Sequence, residues 1–517
     1  MARKSKSGEE TCTLTLPLRL EKWQEDRLAK RLEIARQIYN TLLRFELKKL
    51  RKLEQSPQYR AIQEQMRTFY QEPRQQNDAQ DKSKTKLNKQ RDSILRQFGL
   101  SEYAFKSDMK NYYKHFSENI GSSVAVHGIA AQLWRAFDKK LYGNGQQIHY
   151  KSAGEMDSVV GYSISNRSGG IEIMFRGSYI EWKGLRLPLK LDPTNQYETD
   201  MLSKHVKYVR ILRRPGKNKS RWYAQLSLVG KPAVKYDPQT NQPKHPVGIG
   251  DVGLDIGPQT LAFVTNSQAG LLELADRTPV IEHEKYLLQR KMDRSRRAAN
   301  PGNYNADGTF KRGVRLTHNK SKRYVRLAKK LTFLQYQQAS IRKMQHIQLA
   351  NRLLTMGDCF KVEKMQWSGL AKRAKETTIS TKTGRYNRKK RFGKSIANKA
   401  PAMLLTILEQ KCKSRGIPGL VKIPTSMKAS QYNHITDTYE KKELSQRWNE
   451  MPDGHRIQRD LYSAFLLQHV VMPEEQYDRD GLKRDYEAFL KHHDEAIQQL
   501  AHAPKLIGSM GLRRTGS

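Results

Sequence analysis

The chain has 517 residues, of which 37% are hydrophobic and 28% charged, enough for about three domains with cores of their own. It carries 95 Lys and Arg against 51 Asp and Glu, a formal net charge of +44. Such a charge is typical of a protein that binds a polyanion, and nucleic acid is the commonest one. Positive charge along the whole chain is less typical of a membrane-surface protein. No apolar run is long enough to span a membrane.

Cysteine usage and the first residues bear on the compartment. Cys12, Cys359 and Cys412 are the only cysteines and lie far apart, which predicts neither a disulfide framework nor a cysteine-based zinc site. Residues 1–6 are basic and no apolar segment follows them, so we expect no signal peptide. We therefore expect a reducing, cytoplasmic setting.

The N-terminal half predicts one strand, then helices, then several strands. Residues 11–18 are strand-like and β-branched, and a helical period starts at Lys22. Residues 75–92 predict a loop or a frayed helix end, and helical spacing resumes through 125–137. The strands predicted between 155 and 235 suggest a small barrel that the first strand joins. The apolar stripes of the helices predict core packing, which leaves any function to their basic faces.

A basic turn is predicted within this β region. Arg213 and Arg214, followed by a basic segment at 217–221, are expected at the tip of a hairpin. They are candidates for phosphate contacts, and a merely solvated turn is the alternative.

Residues 249–258 are the most informative stretch of the chain. Val252, Leu254 and Ile256 alternate with Gly253, Asp255 and Gly257, which predicts a strand with one apolar face and one carboxylate between two glycines. A Gly-Pro turn and residues 260–264 complete a predicted hairpin. The glycines leave space for a metal ion or a phosphate, or they allow a close crossing of the sheet beneath an ordinary surface aspartate. This stretch alone does not separate these two interpretations.

The segment after this hairpin is rich in arginine and lysine. A long helix is predicted at 320–356, and residues 369–399 are basic with interspersed aromatic residues, a pattern that suits backbone contacts and base stacking. The stacking candidates are Tyr386 and Phe392. The nucleic-acid-binding candidates here are Arg290, Lys291, Arg294, Arg296, Arg297, Arg388, Lys389, Lys390 and Arg391.

Two more carboxylates stand out by context. Glu363 lies on the polar side of a predicted strand, opposite Phe360 and Val362. Asp460 lies at the edge of the apolar stripe of a helix predicted from 457 to 471. Brought together with Asp255, these acids would repel one another unless Mg²⁺ or Mn²⁺ bound between them. Two such ions can activate water and stabilise the leaving oxygen of a phosphodiester. Spacing alone is a weak signal, since 51 acids offer many triples.

Three segments resemble motifs of one family. Residues 252–262 resemble the first RuvC motif of TnpB proteins and their descendants, the compact type V CRISPR effectors, whereas 362–365 and 458–464 resemble the second and third motifs. Residues 442–448 are similar to the family's segment upstream of the third motif. The resemblance implies that Asp255, Glu363 and Asp460 are catalytic and bind two Mg²⁺ or Mn²⁺ ions. It also implies a guide RNA, a double-stranded DNA target and a prokaryotic, nucleoid-associated protein that is monomeric in its ribonucleoprotein.

The chain departs from the family pattern twice. Where the family has the two Cys-x-x-Cys pairs of a zinc ribbon, residues 429–432 and 449–452 contain no cysteine, so no structural zinc is expected. His434 and His455 remain there and are interpreted as surface residues. The usual Asn-Ala-Ala of the third motif is Tyr462-Ser463-Ala464, which predicts weaker support of a metal ligand.

The predicted fold class is multidomain, α+β and α/β. A helical recognition domain interrupts a β-barrel wedge domain, and an RNase H-like (RuvC) nuclease domain with helical insertions and a zinc-free, degenerate ribbon follows. The predicted segments are wedge strand 1–20, recognition domain 21–152, wedge barrel 153–246, the first two RuvC motifs 247–425, target-binding region 426–456, the third motif 457–475 and a tail 476–517.

The sequence therefore predicts an RNA-guided DNA endonuclease that reads a short flanking motif and hydrolyses phosphodiesters with two metal ions. An RNA-guided repressor that binds without cutting is the first alternative. A DNA-joining or other transposon-associated protein is the second. A junction resolvase with the same core is the third, although it would work without RNA.

Overall fold

A computed structural model describes residues 9–71, 78–143, 145, 147–162, 173–372, 377–379, 384, 392–443, 446–503, 506 and 508–512. The chain divides into two compact units, Met1–Val234 and Lys235–Ser517. Among the helices in these ranges, none combines the length and apolar character that a membrane span requires.

The N-terminal unit contains a helical block. Its helices are α1 (Lys22–Gln55), α2 (Pro57–Gln71), α3 (Asp78–Gln97), α4 (Glu102–Tyr113), α5 (Ser117–Ile120), α6 (Ala130–Leu141) and α7 (Gln196–Leu202). The predicted stripe of α1 is buried, including Leu28, Leu32 and Leu42. The loop expected at 75–92 is wrong over most of its length, because α3 starts at Asp78. Its few apolar residues hid the helical period.

Two antiparallel sheets complete this unit. Their strands are β1 (Thr11–Pro17), β2 (Ser158–Tyr162), β3 (Ile173–Phe175), β4 (Tyr179–Trp182), β5 (Leu185–Pro188), β6 (Val206–Arg214) and β7 (Arg221–Val229). One sheet has the order β1-β7-β6-β2 and the other β3-β4-β5. The first strand therefore joins the later ones across the helical block. A bridge between Leu18 and Leu189 connects the two sheets, and closure into a barrel stays a prediction.

A five-stranded mixed sheet organises the second unit. Its strands are β8 (Asp251–Ile256), β9 (Thr260–Val264), β10 (Ala269–Glu273), β11 (Cys359–Glu363) and β12 (Gly419–Ile423). The order is β10-β9-β8-β11-β12, in which β8, β9 and β10 are antiparallel and β8, β11 and β12 are parallel. The predicted hairpin and the predicted strand of Glu363 are confirmed.

Helices cover both faces of this sheet. The helices of the unit are α8 (Thr278–Ala299), α9 (Lys322–Leu354), α10 (Trp367–Ala371), α11 (Phe392–Lys399), α12 (Pro401–Arg415), α13 (Arg459–Gln468) and α14 (Arg479–Ala501). One core joins Val252, Leu254 and Ile256 to α9 and α12. The other core joins Ala262 and Val264 to α13 and α14.

Short hairpins surround α13. Their strands are β13 (Tyr432–Asn433), β14 (Thr438–Tyr439), β15 (Trp448–Glu450), β16 (Arg456–Gln458), β17 (Val470–Val471) and β18 (Gln476–Tyr477). The irregular structure expected at 426–456 is therefore only partly right. Strands of two or three residues are too short for an alternating pattern to reveal them. The helix predicted at 457–471 is also shorter than expected, since α13 ends at Gln468.

Candidate active site

Two neighbouring parallel strands place Asp255 and Glu363 side by side. Leu254 pairs with Val362, so the next residue of each strand lies at the same level of the sheet. Paired strands are about 4.8 Å apart and successive side chains alternate between faces. Both carboxylates therefore lie on the face opposite the buried Leu254 and Val362. Both residues are half-buried, which leaves the site open to a substrate.

Helix α13 brings Asp460 to the same place. It packs so closely on β8 that a Cβ on Gly253 would lie 1.8 Å from the carbonyl oxygen of Ala464 and 2.7 Å from the amide nitrogen of Gln468. Asp460 is four residues before Ala464, about 6 Å along the helix. Asp255 is two residues beyond Gly253, about 6.7 Å along the strand on the same face. The close crossing therefore aligns the two aspartates.

The contact between α13 and β8 explains why residue 253 is a glycine. Gly253 allows the helix to approach the sheet, which is the structural interpretation of the flanking glycines. At Gly257, by contrast, an added Cβ would meet only Thr260, at 3.2 Å from its hydroxyl. Free space beside Asp255 is therefore available at Gly257, on its C-terminal side, and not at Gly253.

The three carboxylates influence one another electrostatically. Desolvation, then the charge of Asp460, then that of Glu363 raise the pKa of Asp255 well above its usual value. Although Asp255 as a whole is half-buried, its carboxyl group is thus strongly desolvated. Burial also raises the pKa of Glu363. Crowded, desolvated carboxylates of this kind are typical of sites that bind a cation.

Two neighbours that the sequence analysis did not single out counter this effect. The guanidinium of Arg459 and the hydroxyl of Ser463 lower the pKa of Asp255. Arg459 also donates to the carbonyl oxygens of Glu443 (3.2 Å) and Gln446 (3.4 Å). The Ser463 hydroxyl is buried, and within the described residues it has no well-formed hydrogen bond. Their sequence signal is that both belong to the third motif, Arg459 directly before Asp460 and Ser463 in the altered Tyr462-Ser463-Ala464 segment.

Both ends of α13 are tied to the rest of the unit. At the start, the Gln458 side chain accepts a hydrogen bond from the Leu461 amide at 2.8 Å and donates to the Met510 carbonyl. At the end, Lys361 donates to the Gln468 carbonyl at 2.8 Å and pairs with Asp251 at 2.7 Å. Sequence reasoning missed the roles of both residues, because the Met510 and Gln468 carbonyls that they contact are distant in the chain.

The donor set is of the hard-oxygen type. Carboxylates suit Mg²⁺ or Mn²⁺, and the buried Ser463 hydroxyl is a further oxygen beside Asp255. In the ranges that the structure covers, no three His, Cys, Asp or Glu side chains form a closed ligand cluster. Asp255 is nevertheless near enough to Asp460 and Glu363 to interact with both electrostatically. Their chemistry fits a divalent cation.

The altered third motif has a visible consequence. Tyr462, at the place of the family's asparagine, contacts His434 rather than a carboxylate. Its hydroxyl lies 2.7 Å from Nδ1 and accepts a hydrogen bond from the amide of His434 at 3.1 Å. Burial lowers the pKa of this histidine to about 4. The surface position expected for His434 is therefore wrong, because its side chain is a neutral part of the core, whereas His455 is exposed.

Apolar side chains occupy the region that resembles a zinc ribbon. Ala429, Tyr432 and Met451 are buried in the same core as α13. The described cysteines lie elsewhere, on β1, β11 and α12. The expectation of no structural zinc stays a prediction.

Comparison with known proteins gave matches only among solved structures: no protein-family model and no curated protein matches the chain. The chain is similar to Cas12f1. The match is to a cryo-EM structure of a Cas12f1–sgRNA–target DNA complex, with 12% identity over 89% of this chain and 99% of that chain and a TM-score of 0.37. A CRISPR–Cas12f ternary complex matches with 13% identity over 88% and 83% and a TM-score of 0.26.

These neighbours are of the family that the sequence motifs resemble. At such TM-scores the likeness carries no weight in assigning a function. That assignment rests on the residues of the site.

The predicted arginine run on α8 divides into two groups. Arg296 and Arg297 both pair with Asp293, and their guanidinium groups lie over Phe310 and Tyr304 at 5.1 and 4.9 Å. These two side chains therefore hold the loop that follows α8. The remaining candidates are exposed on the same helix: Arg290, Lys291 and Arg294.

The other nucleic-acid candidates differ in how far the structure describes them. Phe392 begins α11 and is 42% exposed. Lying outside the described residues are Tyr386, Arg388, Lys389, Lys390 and Arg391.

In the N-terminal unit the predicted basic hairpin exists, since Arg214 pairs with Arg221 at its end. Arg213, however, donates to the carbonyls of Gly154 (2.7 Å) and Met156 (3.1 Å). Arg214 lies over the ring of Tyr223 at 5.2 Å. Arg213 thus has a structural use within the unit, whereas its predicted phosphate contact stays a prediction.

Proposed function

We propose that this chain is an RNA-guided DNA endonuclease of the TnpB and compact type V kind. One observation carries the proposal: β8, β11 and α13 bring Asp255, Glu363 and Asp460 together, and these are the acids at the three motif positions of the resemblance. Glu363 lies 108 residues after Asp255, and Asp460 lies 97 residues after Glu363. Chance matches to three short motifs would not be expected to bring residues so far apart in the sequence close together in the fold.

In this proposal the three carboxylates hold two divalent ions, Mg²⁺ or Mn²⁺. When bound, such ions supply an activated water and stabilise the leaving oxygen of a phosphodiester. The chain's own residues orient the ligands. Gly253 sets the distance between Asp255 and the helix of Asp460, and Ser463 and Arg459 favour the ionised form of Asp255. Gln458 and Lys361 hold the helix at its two ends.

The partners in this proposal are a guide RNA and a double-stranded DNA target, and the active ribonucleoprotein contains one copy of the chain. The net charge of +44 supports binding of a long polyanion through its phosphates. The exposed group on α8, Arg290, Lys291 and Arg294, offers such contacts. Sequence would then be selected by base pairing with the guide.

We further propose the remaining features by resemblance. They are a wedge barrel with a helical recognition domain, an RNase H-like core around the five-stranded sheet, a target-binding region without zinc, and a cytoplasmic location. The zinc proposal has a direct measurement, because elemental analysis of the purified protein should show no stoichiometric zinc.

The test is guided cleavage with purified components. The protein, loaded with the RNA that copurifies with it, should cut duplex DNA complementary to the guide in Mg²⁺ and not in EDTA. Changing the guide segment should redirect cutting to the new complement. Cutting that survives RNase treatment and repurification would favour a junction resolvase. Guided binding without cutting would favour the repressor alternative, and strand-transfer products would favour a transposase.

A further inference from the structure

A cavity of about 490 Å³ lies among the short hairpins of the second unit. Its walls come from the β13–β14 hairpin and from the turn and strand that precede α14. Tyr432, Tyr439 and Tyr477 form the aromatic part of the wall, and Val471 and Arg479 border it. The volume is in the range of small-molecule sites.

Two of the three tyrosines are stacked, and the third lies at an angle beside them. The rings of Tyr477 and Tyr432 are parallel within 2° at a centroid distance of 4.3 Å, whereas the ring of Tyr439 lies 5.0 Å from Tyr432 and is tilted by 41° to it. Tyr432 is only 2% exposed, whereas Tyr439 is 53% exposed. The outer face of Tyr439 is therefore available to a further planar ring.

The charges around the cavity favour a neutral ligand portion. Asp437 accepts a hydrogen bond from the Tyr432 hydroxyl at 3.0 Å and pairs with Arg479 at 2.8 Å. Asp478 caps α14 by accepting from the Gly481 amide at 2.9 Å. Two of the carboxylates at the rim thus have partners inside the protein. What the cavity offers is ring surface and hydrogen-bonding edges, rather than a phosphate site.

The cavity adjoins the carboxylate site. The Tyr477 hydroxyl donates to the carbonyl of Met427 at 2.8 Å, just beyond the end of β12. Burial raises the pKa of this tyrosine, and the charge of Glu363 is close enough to add a smaller contribution. A strand whose phosphodiester lay at the carboxylates would therefore have a base within reach of the cavity.

We infer that this cavity binds one nucleobase of the DNA single strand positioned for cutting, stacked on Tyr439. The inference rests on the proposed function and adds to it a base-binding site. Stacking on an aromatic side chain tolerates any base, because every base has a π-face. The site would position the strand without choosing its sequence.

The test uses single-stranded DNA in which 2-aminopurine replaces each base in turn, bound to protein that carries Asp255→Asn so that no cutting occurs. Fluorescence should be quenched by stacking at one position in the guided complex, and without a preferred position in the protein alone, where no guide sets the register of the strand. Tyr439→Phe should keep the quenching. Tyr439→Leu, which retains an apolar contact with Tyr432, should abolish it and weaken binding of the strand by roughly 5- to 100-fold.

Tyr103→Ala is the matched control, since this tyrosine is 83% exposed in the other unit, and it should leave the quenching unchanged. In cutting-competent protein, an abasic site at the quenched position should slow wild type but not Tyr439→Leu. Quenching at no position, or quenching that persists in Tyr439→Leu, would overturn the inference. Unguided or absent cleavage by wild type would instead count against the proposed function. The fluorescence result would still show whether a base binds at Tyr439.

Discussion

At the scale of single residues, the site balances charges that repel one another. Desolvation and the charges of Asp460 and Glu363 raise the pKa of Asp255, whereas Arg459 and Ser463 lower it. A bound divalent cation would favour the ionised forms of all three acids. Crowding of the three acids therefore destabilises the metal-free protein. Removal of one of them should lower activity but raise stability.

We expect Asp255→Ala to abolish cutting while it leaves RNA and target binding within about twofold of wild type, because binding depends on distributed positive charge. Losing a metal ligand should cost several kcal/mol of transition-state stabilisation, at least about a thousandfold in rate. Single-turnover cleavage and filter binding measure the two effects. Glu487→Gln, an exposed change on α14, is the control. A rate near wild type for Asp255→Ala would show that the site is wrongly assigned.

The raised pKa values also predict how stability depends on pH in EDTA. Since the folded protein holds protons on Asp255 and Glu363 that the unfolded chain has lost, the free energy of unfolding should fall as pH rises from about 4 toward the raised native values. Glu46, whose pKa burial raises to about 8, contributes with the same sign.

Asp255→Asn removes one titrating carboxyl group and so isolates the contribution of Asp255. At neutral pH in EDTA, this variant should be more stable than wild type by roughly 0.5–2 kcal/mol, which is about 1–8 °C in Tm. Its stability should also vary less with pH, and Mg²⁺ should raise the Tm of wild type more than that of the variant. Identical pH profiles for the two proteins would contradict the assignment of a raised pKa to Asp255.

At the scale of elements, the crossing of α13 over β8 determines whether the acids meet. Backbone atoms of Ala464 and Gln468 occupy the space that a side chain at Gly253 would need. A helix backbone cannot yield locally as a flexible side chain can. A side chain at position 253 would therefore displace the whole of α13, and Asp460 would move with the helix.

We therefore expect Gly253→Ala to lower stability by about 1–3 kcal/mol and to reduce cutting more than it reduces DNA binding. Thermal unfolding and single-turnover cleavage test this. Gly302→Ala is the control, because an added Cβ there has no neighbour within 4 Å. Wild-type cutting by Gly253→Ala would show that the helix position is not critical.

Helix α8 supports a second prediction at this scale. Arg294→Gln should weaken RNA binding and reduce the slope of log affinity against log salt by about one, without a change in Tm. Arg297→Gln should instead lower Tm, because Arg297 pairs with Asp293 at 3.0 Å and donates to the Gly308 carbonyl at 3.0 Å. Salt titrations and melting curves separate the two effects. The reverse pattern would assign the nucleic-acid contact to Arg297.

At the scale of the whole molecule, a net charge of +44 makes the free protein repel itself. Neutralisation by a bound polyanion should relieve that repulsion, and binding to the folded state adds stability by mass action. With guide RNA at 100 times its Kd, we expect roughly 2.7 kcal/mol of added stability, seen as a higher Tm. An unrelated RNA of equal length is the control. Equal stabilisation by both RNAs would point to non-specific charge neutralisation.

The sequence by itself determined the elements whose signal is local. Alternation identified the strand around Asp255 and the strand of Glu363, and helical spacing identified α9 and most of α13. The same periods assigned the apolar face of β8 to a core, because burial of one face requires that pattern. Motif resemblance then singled out the three acids.

Only the tertiary structure decided which of these residues meet. Strand register places Asp255 beside Glu363, and the helix contact at Gly253 adds Asp460. The tertiary structure also shows that Arg297 donates a hydrogen bond to the Gly308 carbonyl and that the Tyr462 hydroxyl contacts His434. None of these outcomes has a periodic signal, because each depends on a specific contact that the spacing of apolar residues does not encode. Local patterns encode which face of an element is buried, whereas packing between elements selects what that face contacts.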